Sequence, residues 1–215
     1  MTLRVRFAPS PSGDLHVGNA RTALFNFLYA RKAGGVYIFR IEDTDLDRSD
    51  ESAIQAILAS MRWLHMVPDE GESVGGPHAP YRQSLCLDIY RAQAQVLLDK
   101  GLAYWCFDNH DEQETERLHL LHHPEDRKRR HPHRDIDEAQ RQAFLAEGRK
   151  PALRFATDDL YGQVSWVDGV RDTITFELSE IRDFNLMKSD GTPMYNWACV
   201  CDDRRMGITH VLRGE

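Results

Sequence analysis

The 215-residue chain has no apolar run near the ~20 residues that a membrane-spanning helix requires, so no transmembrane helix is expected. It is poor in cysteine. Cys86, Cys106, Cys199 and Cys201 form no evident disulfide framework, which argues against a stapled secreted scaffold and for a reducing cytosol. The strand-like pattern starts at once, without the apolar segment of a signal peptide, and a cytoplasmic location follows as an expectation. No internal repeat or heptad pattern is visible, so solenoids and coiled coils are not expected. No Ser-His-Asp or Cys-His arrangement is evident, which leaves nucleophilic catalysis without candidates. Excess positive charge is also missing. The 27 Lys and Arg against 34 Asp and Glu give a formal net charge of −7, unlike a dedicated nucleic-acid binder. Hydrophobic residues at 41% and charged residues at 28% instead suit a soluble globular protein.

The elements read off in order. Leu3 to Ala8 alternates as a strand, ended by Pro9 and Pro11. Val17 to Lys32 places Val17, Ala20, Leu24, Phe27 and Leu28 on one side of a helix that Gly34-Gly35 terminates. Val36 to Ile41 is a short apolar run suited to a buried parallel strand. Ser49, with Ser52 as the rival, is expected to cap a helix carrying Ala53, Ile54, Ile57, Leu58, Met61 and Leu64. Strand, helix, strand, helix predicts a βαβ unit and a doubly wound α/β sheet. Gly71 to Pro80 reads as a loop, Leu87 to Asp99 as a helix stopped at Gly101, and Leu102 to Phe107 as a strand. Polar helices over Asp111 to Leu121 and Asp135 to Glu147 flank a dense basic block, Arg127 to Arg134. Ala152 to Ala156, Val164 to Val167 and Thr173 to Glu177 predict short strands of a second subdomain. A helix over Tyr195 to Met206 and a strand over Thr209 to Arg213 return to the first.

The richest segment runs from Arg4 to Asn19, Arg-Val-Arg-Phe-Ala-Pro-Ser-Pro-Ser-Gly-Asp-Leu-His-Val-Gly-Asn. An extended run meets a Pro/Ser/Gly turn, and His16-Val17-Gly18-Asn19 opens a helix. Unpaired N–H groups and the helix dipole make such an end a natural seat for phosphate. Gly18 removes a side chain where a nucleotide presses on backbone, and His16 adds a ring donor. A histidine at a helix start is also ordinary surface decoration, so the weight lies on the run as a whole. The basic block has two readings, a solvated loop or phosphate contact with RNA.

This run resembles the ATP-binding signature of class I aminoacyl-tRNA synthetases, most closely those of the bacterial glutamyl type. Arg40-Ile41-Glu42-Asp43-Thr44-Asp45, Tyr81-Arg82-Gln83-Ser84, Asp190 to Asn196 and Gly207 to Glu215 are similar to four further family motifs, in the same order. The resemblance is weakest between Asp108 and Lys150. It implies a Rossmann-like catalytic domain over 1–103, an inserted α+β acceptor-stem-binding subdomain over 104–190, and a return over 191–215. The implied activity is formation of glutamyl-adenylate from glutamate and Mg²⁺-bound ATP, then transfer to the 3′ end of tRNA-Glu, with tRNA-Gln as a further candidate and a monomer as the expected state. Pro9, His16, Gly18, Asn19 and Glu215 match positions at ATP, with His16, Gly18 and Asn19 nearest the chemistry. Asn19 stands where a second His is common, though an amide can still donate. Arg6 and Arg213 match clamps for the side-chain carboxylate, Glu42 matches the acceptor of the α-amino group, and Ala8, Ser10, Tyr195 and Asn196 match the rest of that pocket. The alternative for the two arginines is an ion pair with a nearby acid such as Glu42. Lys128, Arg129 and Arg130 become candidate tRNA contacts. Some members hold zinc between a Cys-x-Cys and a Cys-x-His-like pair. Here Cys106, Asp108, His131 and His133 occupy a comparable spacing, but structural zinc favours thiolates, so no bound metal is expected. Cys199 and Cys201 read as small core hydrophobes. The Lys-Met-Ser-Lys-Ser-like loop and an anticodon domain are lacking, and the motif at Arg213 normally continues, so a fragment is expected. Two other readings stay open: glutamyl transfer to a modified base of tRNA-Asp, and a catalytically inactive module that binds tRNA or a protein.

Overall fold

The computed structural model describes residues 2–11, 15–45 and 50–214. They form two compact units, Met1–Tyr90 with Tyr195–Glu215, and Arg91–Met194. The first is built on a parallel sheet in the order β1 (Arg4–Phe7), β2 (Val36–Phe39), β3 (Glu70–Gly71). Helix α1 (Val17–Ala33) connects the first two strands, and α2 (Glu51–Trp63) precedes the third. Side chains alternate across a strand, so Val5, Phe7, Tyr37, Phe39 and Ile41 share one apolar cluster with Ala23 and Ala30 of α1 and Ile54, Ile57, Leu58 and Met61 of α2. The other face carries Arg4, Arg6, Ile38 and Arg40. There Ile38 packs with Tyr81 and Met206.

The ends of these helices follow from local chemistry. Gly34 closes α1 in the left-handed region, at φ 62°. Gly35 then passes so close to β1 that an added Cβ would stand 2.5 Å from the Leu3 carbonyl oxygen. Helix α2 is capped by Asp50, whose side chain accepts from the Ser52 N–H at 2.9 Å. Ser52 is thus the recipient of the cap, and Ser49 lies outside the described residues. Two further expectations are corrected. Within the region read as a loop, Gly71 belongs to β3, because Glu70 and Gly71 register against Ile38 and Phe39 of a strand distant in sequence. Thr209 to Arg213 is not a strand, although it runs beside β1. The Arg4 N–H goes to the Thr209 hydroxyl (2.9 Å), and both the Thr209 and His210 N–H groups converge on the Arg4 carbonyl (3.0 and 3.3 Å), so no ladder propagates. Helix α3 (Leu87–Asp99) follows the first unit's loops, and α6 (Tyr195–Arg205) brings the chain back to that unit.

The second unit has an antiparallel sheet β4 (Ala103–Cys106), β5 (Ala152–Phe155), β8 (Phe184–Met187), and a hairpin β6 (Gln163–Asp168), β7 (Asp172–Glu177). Helices α4 (His110–His122) and α5 (Glu138–Ala146) each start in a reciprocal capping box, from Asn109 with Glu112 and from Asp137 with Gln140. Strand β8 carries no alternation of its own and is held by pairing with β5 across a register shift. Among the described residues no helix is long and apolar enough to cross a membrane.

Glu70 ties the first unit together. Arg4 grips both of its oxygens at 2.9 and 3.0 Å, while the Tyr81 hydroxyl and His78 Nδ1 each approach Oε2 at 2.9 Å. Burial alone would raise this carboxyl, but the hydrogen bonds from Arg4, His78 and Tyr81 prevail and hold it at about 2. A depressed carboxyl stabilises the fold above its unfolded value and loses that contribution as pH falls toward its folded value. Glu70→Gln is therefore expected to cost roughly 3 kcal/mol at pH 7, as for a broken partly buried ion pair. In urea titrations across pH, the gap between the two proteins should close as pH falls from about 4.5 toward 2. A constant gap would contradict the assignment.

Candidate functional site

The carboxyl ends of β1 and β2 collect the polar groups of the first unit, which is where parallel α/β sheets place ligands. After β2 the chain is pinned by the Glu42 N–H donating to the Pro9 carbonyl at 3.0 Å and by the Ile41 N–H donating to Tyr81 at 2.9 Å. This sets Glu42 beside the turn that holds Ala8, Pro9 and Ser10. Ser10 is exposed, Ala8 half-buried and Pro9 buried. Asp43 accepts from Arg82 Nε (2.6 Å), the Ser84 N–H (2.8 Å) and the Ser84 hydroxyl (2.7 Å). The Arg40–Asp45 and Tyr81–Ser84 motifs are therefore hydrogen-bond partners.

Arg40 lies at the centre, fully buried. It donates to Glu42 at 2.7 Å and to Asp203 of α6 at 2.6 Å, with Asp202 at 3.9 Å. Burial works against its charge, but Glu42 and Asp203, then Asp202, hold its ionisation above the usual arginine range. Burial likewise pushes the Glu42 carboxyl up, against the pull of Arg40 and Arg6. Arg6 meets the side chain of Asp203 through Nε at 3.2 Å and Nη2 at 3.3 Å. The acid paired with Arg6 is thus Asp203, not Glu42, which sequence reasoning had offered as the alternative partner. Asp203 and Cys199 were both missed. Their spacing from Tyr195, eight residues along α6 for Asp203 and four for Cys199, was the available signal, because it sets all three near one face. Cys199 is half-buried at this site, with Sγ 3.7 Å from Arg6 and 3.5 Å from Arg40. Cys201 is buried, as expected of a core residue.

Tyr195 opens α6 and is 46% exposed. Its phenol is raised first by the Glu42 charge, then by burial and Cys199, against Arg213 and Arg6. Tyr195 therefore lies within electrostatic reach of Glu42, Arg6 and Arg213, and Arg6 also acts on Glu42. Arg213 is exposed and, among the described residues, hydrogen-bonds only to the Gly214 carbonyl, at 3.4 Å. Asn196 is exposed too. At the start of α1, His16 is the cap residue, its Nδ1 accepting from the Asn19 N–H at 3.4 Å. A Cβ at Gly18 would press to 3.0 Å on that imidazole, so the missing side chain makes room for His16. The first turn of α1 holds no acid, which leaves the dipole uncompensated for an anion. Glu215 lies outside the described residues.

In the second unit, ligand-capable atoms of Cys106, Asp108, His131 and His133 all fall within 4.8 Å of one another. Their hydrogen bonds do not fit a metal. The His133 N–H donates to His131 Nδ1 (3.2 Å) and the Phe107 N–H approaches His133 Nδ1 (3.1 Å), which also faces Asp108 Oδ1 at 3.3 Å, so both Nδ1 atoms already have partners. His131 is left to donate from Nε2 to Asp108, at 3.0 Å. Binding a metal through His131 Nε2 would cost its bond to Asp108 and, with the proton moved to Nδ1, the bond from the His133 N–H, while a metal at His133 Nδ1 would displace the Phe107 N–H. Arg154 already supplies a cation 3.8 Å from both Cys106 Sγ and Asp108.

The basic block is largely spent on its own unit. Lys128 donates to the Thr157 carbonyl at 2.6 Å, Arg130 pairs with Asp135 and Asp158, and Arg134 pairs with Asp158. Arg129 is exposed, its charge acting on Asp126, and the Arg127 guanidinium has no hydrogen bond or ion pair among the described residues. Arg127, Arg129, Arg130 and Arg182 line an open cleft of about 560 Å³.

Against known proteins, the family model described as "tRNA synthetases class I (E and Q), catalytic domain" matches residues 2–215. The chain is 50% identical over 214 residues to a glutamate–tRNA ligase of Carboxydothermus hydrogenoformans, covering 99% of this chain and 44% of that protein. It is 48% identical to that of Bacillus subtilis, with the same coverages. The crystal structure of the glutamate–tRNA synthetase from Elizabethkingia anophelis superposes with a TM-score of 0.85 at 37% identity, covering 98% of this chain and 44% of that one. A glutamate–tRNA ligase from Elizabethkingia meningosepticum, solved in complex with its amino acid, matches with the same score and identity over 98% of this chain and 43% of its own. The chain thus spans about 44% of the length of the curated relatives it matches. With the Arg40–Asp45 motif directly following β2 of a parallel sheet, the chain belongs to the class I tRNA synthetases for E and Q and carries the sequence of their catalytic domain.

Proposed function

We propose that the protein activates L-glutamate with Mg²⁺-bound ATP and transfers the glutamyl group to the 3′ end of tRNA-Glu. The observation that carries this reading is Tyr195 set within reach of the charges of Glu42, Arg6 and Arg213, beside the Glu42–Arg40–Asp203–Arg6 cluster. Glutamate presents two carboxylates and one ammonium. Two guanidinium groups and one buried acid complement it, with Arg offering a fork that Lys cannot copy. In the reaction an oxygen of the α-carboxylate attacks the α-phosphorus of ATP, the phosphoanhydride bond breaks, and pyrophosphate leaves. Catalysis of this kind needs position and charge stabilisation and no covalent enzyme group. His16 hydrogen-bonds the phosphates from the start of α1, Gly18 lies under the adenine or ribose, and Asn19 offers an amide donor, with Pro9 and Glu215 also near ATP. Arg6 and Arg213 clamp the side-chain carboxylate, Glu42 takes the α-amino group, and Ala8, Ser10, Tyr195 and Asn196 complete the pocket. Residues 104–190 form the acceptor-stem-binding insert, and 1–103 with 191–215 the catalytic domain. The likeness to glutamate–tRNA ligases favours this reading over glutamylation of a tRNA base or an inactive binding module.

Glutamate-dependent ATP–pyrophosphate exchange by the full-length protein, with tRNA present, tests the proposal; exchange driven by another amino acid sinks it. In the same assay, Arg213→Ala is expected to raise the glutamate KM at least about 30-fold, the cost of breaking a charge pair, while sparing the ATP KM. An unchanged glutamate KM would remove Arg213 from the clamp.

For the acceptor stem, the cations of the basic block left free to meet phosphate, among the described residues, are Arg127 and Arg129. Each phosphate contact adds about 0.9 to the log-log salt slope on duplex RNA-like sites. Replacing both with Ala should lower that slope by about two and leave adenylate formation intact. Lys128→Ala should act mainly on stability, because its ammonium supports Thr157. A slope that does not move in the double variant leaves the solvated-loop reading.

The cluster at Asp108 is proposed to work without metal. Protein purified from zinc-supplemented cells should carry well under one zinc per chain, and a chelator should leave its melting temperature unchanged. A stoichiometric zinc whose removal lowers melting would overturn this.

A further inference from the structure

Arg6 presents two different edges, and they are not equally occupied. Its Nε–Nη2 edge faces both oxygens of Asp203, at 3.2 and 3.3 Å, in the paired-fork geometry of a bidentate ion pair. Its Nη1–Nη2 edge meets only the Cys199 sulfur, 3.7 Å from Nη2. A thiol is a weak acceptor that a carboxylate oxygen displaces readily. Nη1 has no hydrogen bond among the described residues.

We infer that Asp203 is the positioning residue of the carboxylate pocket: it locks Arg6 by one edge so that the other edge stands open for the substrate carboxylate. Asp203 is suited to the task because it is itself fixed. Arg40 Nη1 donates to its Oδ1 at 2.6 Å, and Arg40 is fully buried and tied to Glu42. The chain Glu42–Arg40–Asp203–Arg6 alternates in charge, so it links the group proposed for the ammonium to the group proposed for the carboxylate. Asp203 is 21% exposed where Arg40 and Glu42 are nearly sealed, which sets it at the boundary between the buried pairs and the opening. A free arginine loses rotamer entropy on clamping a ligand. One held in advance by a second carboxylate loses less. This inference rests on the glutamate reading and adds a specificity device to it, since a lysine at position 6 has no second edge to offer.

A double-mutant cycle in the full-length protein tests it by exchange kinetics. Asp203→Asn is nearly isosteric but turns an amide toward the guanidinium. It should raise the glutamate KM about 30-fold while leaving the ATP KM within about twofold. Asp203→Glu keeps the charge that Arg40 needs and displaces the fork by one methylene, so its rise should be intermediate; it carries the same cycle if Asp203→Asn does not fold. In an Arg6→Lys background the penalty of either change should shrink to under about threefold, because the edge it protects is gone. Penalties that add independently, an unchanged glutamate KM, or equal losses in the glutamate and ATP KM values would each overturn the assignment. Failure of the wild-type protein to exchange with glutamate would overturn the substrate reading together with this one, whereas wild-type exchange with an additive cycle overturns this one alone.

Discussion

A guanidinium buried without any exposure constrains the first unit more than any other group. Arg40 directly follows the central strand of the parallel sheet, on the face opposite the main apolar cluster. Removing a charge from water costs several kcal/mol, and only close opposite charges offset it. Three carboxylates do so here, Glu42 from the same strand edge and Asp202 and Asp203 from α6. The consequence is geometric. Helix α6 must return to this face, and its Asp-Asp pair must point at the sheet. Asp202 is then shared with Gln83, Tyr90 and Arg205, which extends the network into the loop and helix that follow the sheet.

Structure and proposed chemistry use the same groups. Of the carboxylates around Arg40, Asp202 is sealed and wholly structural in its contacts, while Glu42 and Asp203 stand next to the pocket proposed for glutamate. The Tyr81–Ser84 motif is likewise a scaffold. Through Arg82 and Ser84 it satisfies Asp43, and through Tyr81 it joins the Glu70 hub. A motif rich in polar residues can thus signal a binding site by holding its neighbours rather than by touching ligand.

The second unit resolves its own polar burden differently. Asp108 is surrounded by two imidazoles and Arg154. Burial would raise its carboxyl, but the hydrogen bond and charge of His131, with help from Cys106 and His133, keep it low. Four residues that could have served a cation instead satisfy one another. The basic block follows the same economy, since most of its cations neutralise Asp135 and Asp158 and support Thr157. A linear count of charges cannot separate these from Arg127 and Arg129.

Composition and pattern alone determined the alternation of strands and helices in the first unit, the Gly34-Gly35 stop and the approximate reach of α1, α3 and α6, because these depend on propensity and on periodicity within a few residues. The motifs also named Arg6, Glu42, Tyr195 and Arg213 before their meeting could be seen. Tertiary structure alone decided the rest. Strands β3 and β8 exist through pairing with strands far away in sequence, and the segment after Gly207 lost its strand because a threonine hydroxyl took the Arg4 N–H that a ladder needed. The partner of Arg6 was likewise beyond the sequence, which offers several acids without ranking them. Register across the sheet and the turn of α6 bring Asp203 to the guanidinium. An ion pair depends on distance in space, and a separation of 197 positions along the chain carries no local record of it.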